Sequence, residues 1–258
     1  MTLRDHPLVT RGQHQTGHHR NGLIAPAPYR ETPTAAVATA EQQPPILVEA
    51  PARGRVYHVG KRVFDLALGS IGLVVSSPIM LALAIIIRLD SPGPAVFRQK
   101  RLGKGGRPFT FYKFRTMRID ARTRYPQLYA YSYSPEEIAT MYFKVLDDPR
   151  LTRFGRHLRK TSLDELPNFI NVLRGDMSLV GPRPELPEML PYYTPQQTMK
   201  FSVLPGLTGL AQVTGRAVLT FQETIVADLD YCERRSLWFD VLILLRTIKT
   251  VILRVGAF

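Results

Sequence analysis

One cysteine, Cys232, stands in the whole chain. A disulfide framework or a cysteine-built metal site is therefore excluded within one chain, and a reducing compartment fits this usage. Histidine is scarce where a core could form: beyond His58 the sequence has His157 and no other. No Ser–His–Asp arrangement can be assembled from that. His6, His14, His18 and His19 near the start follow no compact ligand spacing, so a solvated polar tail is the favoured reading of them. Neither a G-x-G-x-x-G fingerprint after a strand nor a P-loop occurs, so a kinase-like or NAD site is not supported. No apolar signal-peptide core appears near the start. Acidic residues are under-represented: 21 Asp+Glu face 34 Lys+Arg, a net charge of +13. Such a chain seeks polyanions, whether nucleic acid, anionic lipid headgroups or phosphorylated substrates.

Charge is missing altogether from Leu66 to Ile87, inside "KRVFDLALGSIGLVVSSPIMLALAIIIRLD". As one straight helix these residues would cover about 33 Å, enough for a bilayer core, and a spanning helix is the default reading. Two features favour a re-entrant hairpin instead. Ser77-Pro78 falls at the middle, where Pro78 cannot donate to Val74 and should kink or break the helix. Both flanks are positive, with Lys61 and Arg62 before and Arg88 and Arg98 after, whereas a spanning helix has one strongly basic side.

Residues 1–55 are proline-rich and without apolar period, and read as a disordered tail. They hold six Arg and four acids, so about +11 of the charge belongs to the remainder, residues 56–258. In "RQKRLGKGGRPFTFYKFRTMR", Arg98 to Arg118, there is no acid; its glycines suggest a turn between two short strands. Beside an apolar segment, that basic hairpin suits anionic headgroups or a phosphorylated substrate. Arg150, Arg153, Arg156 and Arg159 recur every third residue and would share a broad helical face. Near the end, Trp238, Leu242, Leu245, Ile248 and Ile252 make an apolar stripe that fits either a core or a membrane interface.

The stretch "KTSLDELPNFINVL" carries adjacent acids, Asp164 and Glu165, at a predicted helix start. Ser162-x-x-Glu165 matches a capping box, or Asp164 is itself the N-cap with Pro167 at the third helical position. A structural cap is the reading that local sequence favours. A helix start led into by arginines nevertheless should keep carboxylates ionised, and an ionised carboxylate can attack phosphorus or bind Mg²⁺. In "GPRPE", Pro182 and Pro184 lock the backbone on both sides of Arg183. Arg216, closing "AQVTGR", is a further candidate phosphate contact.

Taken in order, "KRVFDLALGSIGLVVSSPIM", "PAVFRQKRLGKGGRPFTFYKFRTM", "LRKTSLDELPNFINVLRGDMSLVGPRPE" and "LPGLTGLAQVTGR" resemble the bacterial sugar transferases of the monotopic phosphoglycosyl transferase type, over roughly Gly60 to Val255. That resemblance implies transfer of a hexose-1-phosphate from a UDP-sugar to polyprenyl phosphate, with release of UMP. It implies Asp164 as nucleophile and Glu165 as its partner, with Mg²⁺ held at Glu165 and Asp164. Lys113, Arg115, Arg159, Arg183 and Arg216 would contact phosphates or shape the site, and Ser77-Pro78 would turn the membrane helix back. The proline-rich tail is no part of the family core, and the spanning helices that some members carry ahead of this domain are not expected here.

The expected fold is therefore membrane-associated α/β, mostly α. A re-entrant helix over 61–90 precedes a cytoplasmic catalytic part over 91–258, with a short β-hairpin and interfacial amphipathic helices, on the inner membrane of a bacterium. The partners are a UDP-hexose, polyprenyl phosphate and membrane lipid, with a homodimer left open. The alternative is a non-catalytic, membrane-anchored scaffold that binds anionic lipid. A nucleic-acid partner is disfavoured by the uncharged segment. No motif chooses between glucose and galactose.

Overall fold

The computed structural model describes residues 48–142, 147–215 and 218–252. Arg216 and most of the N-terminal tail, including its four histidines, lie outside the described residues. Where the tail enters the described region it is held in place. The Val48 and Ala50 amides donate to the hydroxyls of Thr198 and Ser202, and Arg235 donates to the Pro51 carbonyl. The expected disorder thus stops short of residue 55, because residues 48–54 form a strap with hydrogen-bond partners.

Helix α1, Arg55–Asp90, is one element of 36 residues. It runs on through Pro78, so two helical halves separated by a turn, as expected from Ser77-Pro78, are not seen. The hydroxyl of Ser77 supplies the reason. Proline at 78 leaves the Val74 carbonyl without its amide donor, and Ser77 Oγ donates to that same carbonyl at 2.8 Å. Ser76 Oγ likewise donates to the Gly72 carbonyl at 2.6 Å. Among the described residues α1 is the one helix long and apolar enough to cross a membrane.

One stripe of α1 is buried: Asp65, Gly69, Ser76, Leu83 and Ile87. The rest shows Ile71, Val74, Val75, Ile79, Leu81 and Ile85 to the outside. The stripe contacts the same globular body near both ends. At the start, Lys61 pairs with Asp240 at 2.7 Å, and the Asp65 carboxylate accepts from Ser178 Oγ and the Leu179 amide. At the end, Leu83 and Ile87 pack with Ala95, Phe114 and Leu158. Arg115 closes that end by donating to the carbonyls of Ile87, Ser91 and Pro92.

Strands β1 (Val96–Leu102) and β2 (Pro108–Phe114) form the expected antiparallel hairpin, with Phe97 opposite Lys113 and Arg101 opposite Phe109. Its turn uses Gly105 and Gly106, both at positive φ. Helix α2 (Arg153–Thr161) is followed by a 3₁₀ stretch, Leu163–Asn168, and by α3, Phe169–Arg174. Two three-residue strands, β3 (Ser178–Val180) and β4 (Gly206–Thr208), pair in parallel. Helices α4 (Leu210–Thr214), α5 (Phe221–Arg234) and α6 (Leu237–Ile252) complete the body. Its main core gathers Phe111, Val172, Met177, Val180, Tyr231 and Ile243 beneath α1. On α6 the core face is Phe239, Asp240 and Ile243, while Trp238, Leu245 and Ile248 are exposed. Trp238, Leu245 and Ile248 of the apolar stripe therefore lie on the outer face, with Leu242 half-buried.

Candidate active site

Asp164 and Glu165 lie inside the 3₁₀ stretch, one turn after α2. The chain enters it through Ser162, which has a left-handed backbone (φ 59°, ψ 15°), and the Glu165 amide donates to the Ser162 carbonyl. Neither expected cap forms. Asp164 is not the first residue of the turn, and the Glu165 carboxylate reaches across the cleft rather than back along the helix. It accepts from Arg183 at 2.8 Å.

Three local devices place the surrounding cations. In α2, a Cβ at Gly155 would lie 2.0 Å from the Thr116 carbonyl oxygen. Glycine therefore lets the helix lie directly on the strand exit, and Arg159, one turn on, donates to Thr116 Oγ1. Asp148, almost fully buried, receives Arg150 at 2.8 Å and Arg159 at 3.4 Å. Arg153 and Arg156 point to solvent, so the four arginines do not share a face. The Arg183 loop is clamped on both sides: the Gly206 amide donates to the Pro182 carbonyl, and Arg101 to the Pro184 carbonyl. Cβ atoms at Gly181 and Gly206 would both strike backbone within 2.4 Å, which is why "GPRP" and "LPGLTG" need glycine where they meet. Third, Asn171 in α3 donates to the Thr110 carbonyl and accepts from the Tyr112 amide. That pair pins the helix directly after the acids against the strand carrying Lys113.

The result is one cleft lined by Asp164, Glu165, Lys113, Arg101, Arg159 and Arg183. Four cations surround the two acids, of which Arg159 also meets Asp148 and Arg101 also feels the charge of Glu185. Burial works against ionisation of Glu165, but the Arg183 guanidinium holds its carboxyl below the usual range. Asp164 behaves differently. Burial and the adjacent Glu165 charge push it from 3.8 up to about 6, with Lys113, Arg159 and Arg183 pulling the other way. Asp164 is thus the weaker acid of the pair, yet at neutral pH it is still mostly ionised. Burial, aided by the charge of Arg101, lowers Lys113 to about 8.

Of the residues singled out in the sequence, Asp164, Glu165, Lys113, Arg159 and Arg183 come together here. Arg115 does not join them: its guanidinium is spent on the end of α1, and Gly93 is small enough to admit it. Arg101 and Asp148 were not singled out. Arg101 shared its basic run with seven other cations, and Asp148 carried no signal beyond its place before Arg150. Among the described residues no cluster of three His, Cys, Asp or Glu could hold a metal by itself. Two adjacent carboxylates do fit Mg²⁺, whose usual sites use one or two carboxylates plus substrate phosphates. The mutual repulsion that raises Asp164 is what a divalent cation would relieve.

A family model described as bacterial sugar transferase matches residues 56–254. A galactosyl transferase CpsE of Streptococcus agalactiae is 43% identical over 200 residues, covering 77% of this chain and 43% of the relative. A UDP-glucose:undecaprenyl-phosphate glucose-1-phosphate transferase of Caulobacter vibrioides is 41% identical, covering 74% of this chain and 69% of the relative. An undecaprenyl-phosphate galactose phosphotransferase of Salmonella typhimurium is 39% identical, covering 77% and 41%. The chain thus spans less than half the length of two of these three relatives.

Proposed function

We infer the activity from one premise: the chain belongs to the bacterial sugar transferase family. The reaction proposed is transfer of a hexose-1-phosphate from a UDP-hexose to undecaprenyl or a similar polyprenyl phosphate, with release of UMP, as the first step of building a surface polysaccharide. The observation that carries it is the adjacent pair of buried Asp164 and half-buried Glu165 facing Lys113, Arg101, Arg159 and Arg183 beside a long apolar helix. Names of relatives support the donor and acceptor classes and name more than one sugar: glucose, galactose and N-acetylgalactosamine.

The mechanism proposed has two displacements. An oxygen of the Asp164 carboxylate attacks the β-phosphorus of the donor. The bond from that phosphorus to the bridging oxygen breaks, and UMP leaves with the electron pair. Asp164 then holds the phospho-sugar as an acyl phosphate. An oxygen of the lipid phosphate attacks the same phosphorus, and the aspartate is released. No general base is needed, because both nucleophiles are ionised at neutral pH. Arg183 fixes Glu165, and the arginines and Lys113 offset the repulsion between an anionic nucleophile and an anionic substrate. Mg²⁺, held by Glu165 and Asp164 with the donor's phosphates, would supply further neutralisation of the leaving charge.

The topology proposed is re-entrant, on the inner face of the cytoplasmic membrane. Lys61 and Asp90 are about 44 Å apart along a straight helix. Yet Lys61 pairs with Asp240, while the Asp90 carboxylate accepts from the Phe154 amide. A helix that crossed the bilayer would separate these ends by a membrane. Both resting on one body supports a helix that dips into one leaflet.

The test uses purified protein, Mg²⁺ and either UDP-glucose or UDP-galactose, without lipid. UMP release and a phospho-sugar adduct on Asp164 are expected, and Asp164→Asn should give neither. An adduct on another residue, or one that survives Asp164→Asn, defeats the covalent mechanism. A non-catalytic scaffold would release no UMP at all.

A further inference from the structure

The second displacement poses a problem that the first does not. The acceptor's phosphate must reach Asp164 while its chain remains in an apolar medium. A route is visible where α1 meets β1. Leu81, Ala84 and Ile85 of α1 and Pro94, Val96 and Phe97 of the β1 segment enclose a shallow apolar groove, with Arg88 and Arg98 also lining it. Pro94, Val96, Phe97 and Arg98 also line the large cleft that holds Asp164, so the two spaces share one wall.

The groove is the inside of a corner, and the corner is fixed. Arg115 ties the last carbonyls of α1 to the loop leading into β1, as described above. Inside it, Leu81, Ile85 and Phe97 are exposed. Phe97 stands opposite Lys113 in the hairpin, and the Lys113 ammonium lies 5.5 Å from the centre of its ring. Lys113 in turn is close enough to Asp164 to act on its ionisation. The sequence of surfaces is thus apolar wall, aromatic ring, ammonium, nucleophile. Among the described residues neither Arg88 nor Arg98 makes an ion pair, and both are exposed.

We propose that this groove seats the proximal part of the acceptor's polyprenyl chain, with Arg88 and Arg98 drawing its phosphate toward the cleft. The proposal rests on the reading of the protein as a polyprenyl-phosphate transferase and adds the acceptor's place of entry. Two properties argue for the acceptor over an ordinary phospholipid. The groove shares a wall with the cleft, and its cations stand where that apolar wall meets Phe97 and, over its ring, Lys113. A chain laid in it leads directly past Phe97 to Lys113.

The experiment separates the two displacements. Leu81→Trp fills the groove while keeping the outer face of α1 apolar, and Arg88→Gln removes one cation. Wild type and both variants are first given UDP-hexose and Mg²⁺ without lipid, and then a short polyprenyl phosphate is titrated. Both variants should form the adduct at the wild-type rate. The KM for the polyprenyl phosphate should rise about tenfold, the order expected when one buried contact in a binding site is lost. An unchanged KM in both variants overturns the proposal. So does a rise in KM that equals a fall in adduct formation, since that is damage to the fold. If wild type forms no adduct without lipid, the reading of the reaction has failed and not the groove.

A polyprenyl phosphate with a photoreactive group in its first isoprene units provides an independent measurement. Crosslinks are expected in peptides holding Leu81–Arg88 or Pro94–Arg98. Crosslinks confined to α6, or crosslinks displaced equally by phosphatidylglycerol vesicles, overturn the assignment.

Discussion

Asp164→Asn should make this protein more stable while abolishing its chemistry. Asp164 is 7% exposed and its carboxyl is pushed from 3.8 up to about 6 by burial and by Glu165. A group whose folded value is raised favours the folded state fully below its unfolded value, and that contribution is lost as pH rises from about 4 through about 6. At neutral pH the ionised Asp164 is therefore a cost. The gap between 3.8 and about 6 corresponds to about 3 kcal/mol. The attraction of Lys113, Arg159 and Arg183 is already contained in that net displacement. Asparagine has the shape of the acid without its charge at any pH. The variant's thermal midpoint at pH 7.5 should thus exceed wild type by about 5 °C or more for a chain of this size. The gain should shrink as pH is lowered and be largely gone by pH 4, where folded-state Asp164 is protonated and the unfolded-state carboxyl about half so. Thermal unfolding of both proteins in the same detergent, from pH 4 to 8, measures this. A midpoint that is unchanged or lower at pH 7.5, or a gain that persists undiminished at pH 4, refutes the reasoning. A nucleophile that strains its own fold is the familiar trade between stability and function.

Three further outcomes are expected. Adduct formation without lipid should fall about tenfold for each pH unit below 6, because the attacking carboxylate must be ionised; rapid-quench measurement of UMP release from pH 4.5 to 8 would expose a flat profile if this is wrong. Arg183→Ala removes the partner of Glu165 and one of the charges restraining Asp164, so the rate should drop about a hundredfold and the acid limb should move to higher pH. Arg183→Lys should recover part of the rate, and a rate in Arg183→Ala equal to wild type would remove the arginine from the site. Arg115→Gln should lower stability by about 2–3 kcal/mol through the unpaired carbonyls at the end of α1, with the donor KM unchanged; a raised KM without loss of stability would return Arg115 to the phosphate site.

Much of the site was legible because chemistry and chain position coincide in it. The acids are adjacent, and Arg183 is marked by its two prolines. What failed did so for identifiable reasons. Lys113 and Arg115 are two apart in a strand pattern and ought to share a face, but β2 ends at Phe114. The Arg115 amide still donates to the Ala95 carbonyl, but its side chain turns to the end of α1. Arg101 was lost in its basic run, since a cross-strand position depends on the register of the hairpin. Proline at 78 was correctly seen as a gap in the hydrogen bonding. The preceding serine fills that gap, and a hydroxyl's choice of acceptor is not written in spacing. Direction also escaped the sequence on α6, where both faces are apolar and only contact with Tyr231 and Asp65's network tells inside from outside.

The attachment of Lys61 bears on how the chain reaches its final state. Asp240 and Asp65 are almost fully buried and both meet the Lys61 ammonium, which comes from the helix that also carries the apolar outer face. If α1 is not in place, the body must bury Asp240 without its cation, because Lys61 and Asp65 both belong to α1. Breaking a buried pair of this kind costs about 3–5 kcal/mol, a large share of the stability of an ordinary domain. Seating of α1 on the body and closure of the core around Asp240 are therefore energetically coupled.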